Sequence, residues 1–233
     1  MEGETGKIPW RLGESFLVLL GLIIAGYGSG ILISLYGTSL PLSYRYLLVS
    51  IAQAVAVFGL LHYFLRIKRG LGFEVLGFSF NDLERVVNWG VGGGLFLFTS
   101  VILIGGIIQS FLPDPAPQPF TDLIVKAKHP KDLIIPFLIG VVIAPLTEEV
   151  YFRGFLFPAL KKRFGLLVGI TGSSIFFSLL HFDLLRFIPL AIGGIGLAYL
   201  YNKTGNILTS IIAHATWNSI MLLLLVHFSL KWF

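Results

Sequence analysis

Long uninterrupted apolar runs are the feature that most constrains how this 233-residue chain can fold. A helix that crosses the roughly 30 Å hydrocarbon core of a bilayer needs about 20 consecutive apolar residues, and the chain contains several such runs. Hydrophobic residues make up 55% of the sequence and charged residues only 12%, which is about half the charged fraction of a typical soluble domain. The sequence therefore predicts an all-α polytopic membrane protein.

Seven of the runs are predicted to cross the membrane. They cover about residues 16–36, 46–67, 86–112, 133–161, 166–182, 185–201 and 207–230. The first could instead be a cleavable signal sequence, but it is too long and lacks a clear cleavage site. The amphipathic stretch "KRGLGFEVLGFSFNDLER" is predicted to lie on the membrane surface. With no internal repeat or long linker, residues 1–233 are expected to form one domain, with a motif core at about 133–230.

Composition and charge exclude several kinds of protein. The absence of cysteine excludes disulfides, thiolate nucleophiles and Cys-ligated zinc. The net charge of +5 is spread over loops without a basic tract, so no nucleic-acid partner is expected. With seven spans, ten Lys and Arg residues in loops lie on the same side of the membrane as the N-terminus, and six lie on the opposite side. By the positive-inside rule this predicts a cytoplasmic N-terminus, in a plasma membrane.

Charged residues interrupt the fourth run in the segment "TEEVYFRG". An ionisable residue at the centre of a membrane helix costs at least about 2.5 kcal/mol, so three within six residues require pairing, hydration or a function. Glu149 and Arg153 are four residues apart and can form an ion pair on one helix face. Glu148 lies about 100° further round the helix and has no local partner, which suits a general base. The alternative is that all three form a structural ion cluster.

Two pairs of polar or aromatic residues lie in later apolar runs at helical spacing. Phe177 and His181 are four residues apart near the end of the fifth run, and His214 and Asn218 share one face of the seventh. Each histidine alone could be a structural residue that bonds across helices. Because polar groups within the membrane usually face the bundle interior, we expect them to converge on Glu148. A carboxylate, two imidazoles and an amide are the groups needed to add water to a carbonyl.

Three short motifs resemble those of one known family. The segments "EEVYFR", "FSLLH" and "HATWN" are similar, in the same order, to the EExxxR, FxxxH and HxxxN motifs of the CPBP family. That family contains the CAAX prenyl endopeptidases of the Rce1 type and the bacterial Abi or bacteriocin-processing relatives. The resemblance is strong over about residues 145–218, and "GLGFEVLGF" resembles the surface segment of the family more weakly.

The resemblance implies an intramembrane endopeptidase with an all-helical core. Its catalytic residues would be Glu148, which activates water, His181, which assists it, and His214 and Asn218, which stabilise the oxyanion. The substrate would be a membrane-associated peptide or protein. The C-terminal CAAX tripeptide of a prenylated protein is one candidate.

The same resemblance assigns Glu149, Arg153 and Phe177 a supporting role around the site. The family is often described as metalloproteases, and two histidines and a glutamate can bind zinc. The residues that would bind it are Glu148, His181 and His214. We nevertheless expect no obligatory metal, because the chain offers few groups to orient the imidazoles.

Two other classes of function are compatible with the polar residues. One is a catalytically silent membrane scaffold or immunity-type binding protein, which predicts no turnover. The other is a transporter or proton relay, because buried glutamate and histidine chains also mark such paths. A relay needs polar groups across the whole membrane, however, and the first three runs contain almost no ionisable residues.

Overall fold

The structure is a computed structural model that describes residues 8–111 and 118–230, and these residues form helices and connections without any strand. Seven long helices account for most of the described chain. They are α1 (Leu12–Tyr36), α2 (Leu42–Ile67), α3 (Leu83–Gln109), α4 (Pro130–Phe164), α5 (Leu166–Leu179), α6 (Phe187–Thr204) and α7 (Ile207–Leu230). Each corresponds to one of the seven predicted runs, which confirms the all-α membrane class.

Fewer than seven of the described helices are long and apolar enough to cross a membrane. Among the described residues, five helices are long and apolar enough to cross a membrane, namely α1, α2, α3, α4 and α7. Helix α5 has 14 residues, and at about 1.5 Å per residue its length is roughly 21 Å, short of a roughly 30 Å core. Helix α6 has 18 residues and ends on the polar residues Asn202, Lys203 and Thr204. The predicted count of seven crossings is therefore not confirmed.

Helix α4 is irregular, and its irregularities follow its prolines. It contains two π-helical stretches, Leu138–Ile143 and Val150–Leu156, on either side of the regular turn Ala144–Glu149. Pro145 and Pro158 follow closely after the two stretches. Proline lacks the N–H that an α-helix needs four residues after each carbonyl, so the hydrogen-bond ladder is disturbed at these two points. Such π-turns are frequent at functional sites.

The second half of α4 forms the centre of the larger hydrophobic core. Every residue from Val150 to Leu160 is buried, and residues before and within α1 bind to this segment. The Trp10 indole Nε1 donates to the Phe155 carbonyl at 2.9 Å, and the Tyr151 hydroxyl donates to the Ser15 carbonyl at 3.1 Å. The N-terminal part of the described chain therefore holds α4 in position.

The predicted surface segment connects α2 to α3 without a long helix of its own. It forms one 3-10 turn, Phe73–Leu76, whose Leu76 side chain is fully buried. The Leu76 carbonyl accepts a hydrogen bond from the Tyr201 hydroxyl at 3.1 Å, and the Gly77 carbonyl accepts one from the Ile207 backbone N–H at 2.9 Å. The segment thus binds to the connection between α6 and α7.

Helices α3 and α7 approach each other closely along the "GVGGG" segment of α3. A Cβ placed on Gly94 would lie 2.5 Å from the Ala213 carbonyl oxygen, and one on Gly90 would lie 2.6 Å from Ile212 Cγ2. Glycine is therefore required at these positions for the two backbones to approach this closely. The contact at Ala213 fixes the part of α7 that carries His214.

Candidate active site

The two adjacent glutamates of α4 lie at the end of its regular turn, Ala144–Glu149. Glu149 and Arg153 are both completely buried, and Arg153 Nη1 donates to Glu149 Oε1 at 2.8 Å. The predicted ion pair at four-residue spacing is therefore present. Removing both charges from water is costly unless they are paired and hydrogen-bonded, so the pair requires further contacts around it.

Two other helices supply those contacts to the Arg153 guanidinium. Its Nη2 donates to the carbonyl of Gly194 in α6 at 3.0 Å. Its Cζ lies 4.7 Å from the centre of the Phe177 ring in α5, a distance at which a cation is attracted to an aromatic face. Arg153 therefore links α4, α5 and α6 at the level of the two glutamates.

His214 connects α7 to the same glutamates. Its Nδ1 lies 2.9 Å from Glu149 Oε1, and because an ionised carboxylate only accepts hydrogen bonds, Nδ1 carries the proton. Its other nitrogen, Nε2, lies 3.8 Å from Glu148 Oε2. Glu149 thus holds the His214 ring so that Nε2 faces Glu148.

His181 lies just beyond the end of α5 and not within the helix as the sequence predicted. Helix α5 ends at Leu179, and His181 Nδ1 is 2.9 Å from the Phe177 carbonyl oxygen. The final carbonyls of a helix have no partner within the helix, and here the imidazole N–H takes one of them. The remaining nitrogen, Nε2, is the acceptor of the neutral ring. The Phe177 and His181 rings are in contact, with 4.9 Å between their centres.

Glu148 and His181 line one cavity of about 240 Å³. The Glu148 side chain is 26% exposed, whereas Glu149 beside it is fully buried. Glu148 makes no hydrogen bond with another described residue, and its contact with His214 is too long to be one. The carboxylate without a helical partner is thus the one that faces the cavity.

Three polar residues of this cavity were missed from the sequence. Ser50 and Gln53 of α2 and Thr147 of α4 also line it. Ser50 and Gln53 are three residues apart in an apolar run, and this spacing places them on one helix face. That spacing, and the position of Thr147 next to Glu148, are the signals that could have identified them.

Asn218 occupies a different place from the other predicted catalytic residues. It lies one turn after His214 in α7, and its Nδ2 donates to the carbonyl of Gly140 in a π-helical stretch of α4 at 2.8 Å. Within the described part of the chain, the residues that line the cavity include Glu148 and His181 but neither His214 nor Asn218. His214 nonetheless reaches the site through its contacts with both glutamates.

A metal centre was the other possibility for these residues. In the described ranges, no group of three or more His, Asp or Glu side chains is arranged to hold a metal ion. Glu148, His181 and His214 therefore do not form such a group. The expected scarcity of groups that orient the imidazoles was nevertheless wrong, because His214 Nδ1 is bound to Glu149 and His181 Nδ1 to a backbone carbonyl, and contacts of this kind orient metal-binding imidazoles.

Comparison with known proteins covers the part of the chain that holds this site. Residues 130–220 match the model of the type II CAAX prenyl endopeptidase Rce1-like family. A Bacillus subtilis (strain 168) protein named "Putative membrane peptidase YdiL" is 29% identical over 92 residues, which are 39% of this chain and 38% of that protein. The match thus spans less than two fifths of the curated relative. No solved structure matches the chain.

The matched segment begins at the start of α4 and ends in α7. It contains all the residues of the three motifs, from Glu148 to Asn218. It also contains the Glu149 contacts with Arg153 and His214. Over residues 130–220, which hold the site, the chain is therefore similar to the type II CAAX prenyl endopeptidase Rce1-like family.

Proposed function

We propose that this protein is an intramembrane endopeptidase that adds water to a peptide bond of a membrane-associated substrate. The observation that carries the proposal is the different placement of two adjacent carboxylates. Glu149 is fully buried and bound to Arg153 and His214, whereas Glu148 faces a cavity that it shares with His181. A carboxylate kept free of partners beside an imidazole suits general-base chemistry.

In the proposed reaction, Glu148 accepts a proton from a water molecule as the water oxygen attacks the peptide carbonyl carbon. The carbonyl oxygen becomes the oxyanion of a tetrahedral intermediate. When the C–N bond breaks, the proton held by Glu148 passes to the leaving nitrogen. His181 assists the water through Nε2, the nitrogen that the Phe177 carbonyl leaves free.

His214 and Asn218 are the proposed stabilisers of the oxyanion. Because His214 Nδ1–H is donated to Glu149, His214 can donate from Nε2 only when both ring nitrogens carry a proton. One N–H of Asn218 bonds to Gly140, and the amide has a second N–H to offer. Oxyanion donors of this kind contribute roughly 10²- to 10³-fold to kcat.

Glu149, Arg153 and Phe177 are proposed to orient these groups without touching substrate. Glu149 holds the His214 ring, as a carboxylate holds the histidine of a serine protease, and Arg153 fixes the position of Glu149 through their ion pair. Phe177 covers the guanidinium and contacts both histidine rings. Loss of any of the three would misalign the catalytic groups.

The proposed substrate is a membrane-associated peptide or protein, and the family name suggests the C-terminal tripeptide of a prenylated protein. We further propose a plasma-membrane location with a cytoplasmic N-terminus, based on the distribution of basic residues in loops.

The test is cleavage of an internally quenched CAAX peptide by the purified protein in proteoliposomes. The peptide is offered with a farnesylated and with an unmodified cysteine, and mass spectrometry identifies the bond. Glu148→Gln is expected to lower kcat by about 10²- to 10⁴-fold, and Glu84→Gln, at an exposed position in α3, to leave it unchanged. Cleavage that survives Glu148→Gln would contradict the proposal. Absence of cleavage combined with a destabilised Glu148→Gln variant would favour the scaffold role.

A further inference from the structure

The cavity beside Glu148 has a second polar wall that the reaction above does not use. Helix α2 contributes Ser50 and Gln53, and α4 contributes Thr147. All three lie within helices long and apolar enough to cross a membrane. A polar group in such surroundings costs free energy unless it finds a hydrogen-bond partner.

None of these three side chains forms a hydrogen bond with another described residue, and Thr147 Oγ1 is fully buried as well. Other hydroxyls in these helices behave differently. Ser29, Ser100 and Ser219 each donate to a backbone carbonyl four residues earlier, which is the usual solution for a hydroxyl in a membrane helix. The wall of α2 and α4 therefore presents donors and acceptors that are free to bind a ligand.

Gln53 is the residue of this wall best suited to a peptide. Its amide carries an acceptor and two donors, which complement the N–H and C=O of a peptide group. The position of the amide depends on Gly26 of α1, because a Cβ there would lie 2.6 Å from Gln53 Nε2. Glycine at position 26 thus leaves the room in which the amide of Gln53 lies.

We propose that Gln53 is a substrate-binding residue whose side-chain amide pairs with the backbone of the substrate peptide beside Glu148. Ser50 and Thr147 extend the same polar wall. The inference rests on the proposed peptidase function, since it assigns the substrate contact of that site. It adds a contact from α2, outside the 130–220 segment that matches the family.

The experiment measures KM and kcat on the internally quenched peptide for Gln53→Leu and for Gly26→Ala. Loss of a neutral hydrogen bond corresponds to about a tenfold effect, so Gln53→Leu is expected to raise KM about tenfold and to change kcat less than twofold, the pattern of lost substrate binding. Its thermal midpoint should equal or exceed that of the wild type, because an amide without a partner has been removed. Gly26→Ala, which displaces the amide without removing it, should raise KM in the same direction.

Matched controls separate this effect from general damage. Gln109→Leu makes the same substitution at an exposed position at the end of α3, outside the cavity. Gly28→Ala makes the same change in α1 where a Cβ would meet nothing within 4 Å. Both are expected to leave KM unchanged.

A binding measurement distinguishes failure of this inference from failure of the proposed function. A fluorescently labelled copy of the peptide is titrated into proteoliposomes of Glu148→Gln and of Glu148→Gln with Gln53→Leu. About tenfold weaker binding to the double variant supports the role of Gln53 even if the wild type cleaves nothing. Normal cleavage with KM and binding unaffected by Gln53→Leu overturns the inference and leaves the peptidase function intact. A lowered thermal midpoint with unchanged KM overturns it too, as does the absence of both binding and cleavage.

Discussion

Glu149 Oε1 lies 2.9 Å from His214 Nδ1, so a carboxylate in α4 orients an imidazole that is 65 residues later in the sequence and belongs to α7. The same oxygen accepts a hydrogen bond from Arg153 at 2.8 Å. One buried atom therefore connects an ion pair within α4 to the histidine that faces Glu148. This connection makes the two adjacent glutamates experimentally distinguishable.

Substitution of Glu149 by alanine is expected to destabilise the protein. It leaves Arg153 as a buried charge without its carboxylate, which typically costs about 3–5 kcal/mol. Glu148→Ala should be as stable as the wild type or more stable, because it removes a carboxylate that has no hydrogen bond. Thermal midpoints of the three proteins in one detergent provide the comparison. If Glu148→Ala melted well below the wild type, Glu148 would have a structural role.

Arg153→Lys is expected to destabilise the protein although it keeps the charge. A lysine cannot bridge Glu149 and the Gly194 carbonyl with a planar fork, and it loses the stacking on Phe177. We expect a loss of about 2–4 kcal/mol of stability, by analogy with breaking a buried pair. Arg163→Lys, at an exposed position of the same helix, is the control. Equal midpoints for the two variants would show that the fork geometry is unimportant.

Asn218→Ala tests whether the amide contributes to catalysis beyond its bond to Gly140. As an oxyanion donor, Asn218 should contribute about 10²- to 10³-fold to kcat and little to KM. Loss of its hydrogen bond to Gly140 alone would lower stability by only about 1 kcal/mol. Steady-state kinetics and the thermal midpoint are measured on the same preparation. A midpoint that falls while kcat is retained would limit Asn218 to bracing α4 against α7.

The connection between α5 and α6 is expected to lose stability in acid. Burial alone would raise the pKa of Asp183, but hydrogen bonds from the side chain and backbone of Arg186 outweigh it and hold this pKa below the usual value of 3.8. Such a carboxyl stabilises the fold above its unfolded-state pKa and loses that contribution as the pH falls through the folded-state value.

The midpoint difference between the wild type and Asp183→Asn should therefore be constant near pH 6 and shrink below about pH 4. Because the pair is partly exposed, the difference should correspond to about 1 kcal/mol or less. Thermal melts between pH 6 and pH 3 provide the measurement. A difference independent of pH would show that the Asp183 charge is not involved.

Removal of metal ions is expected to leave activity unchanged if water activation by Glu148 needs no metal. The purified protein is dialysed against a chelator, its zinc content is measured, and peptide cleavage is compared before and after. Stoichiometric zinc, together with loss of activity on its removal and recovery on its return, would contradict this expectation. It would also require a rearrangement of Glu148, His181 and His214 into a ligand set.

The sequence predicted the parts of the site that depend on spacing within one helix. The Glu149–Arg153 pair follows from four-residue spacing and is present, even though a π-helical stretch begins at Val150. The prediction that His181 lies within a helix was wrong, because α5 ends at Leu179 and His181 bonds to the helix-end carbonyl of Phe177. Helix ends depend on local capping contacts that hydrophobic runs do not reveal.

The sequence by itself determined the membrane class, the seven helical segments and the motif residues, because apolar run length and helical periodicity are local properties. Only the tertiary structure decided that Glu149 and not Glu148 binds His214, and that Ser50 and Gln53 of α2 line the cavity of Glu148. It also decided that Asn218 bonds to Gly140 in α4. These relations depend on how each helix is rotated and packed against its neighbours, and close approaches such as that of Gly94 to Ala213 set that packing.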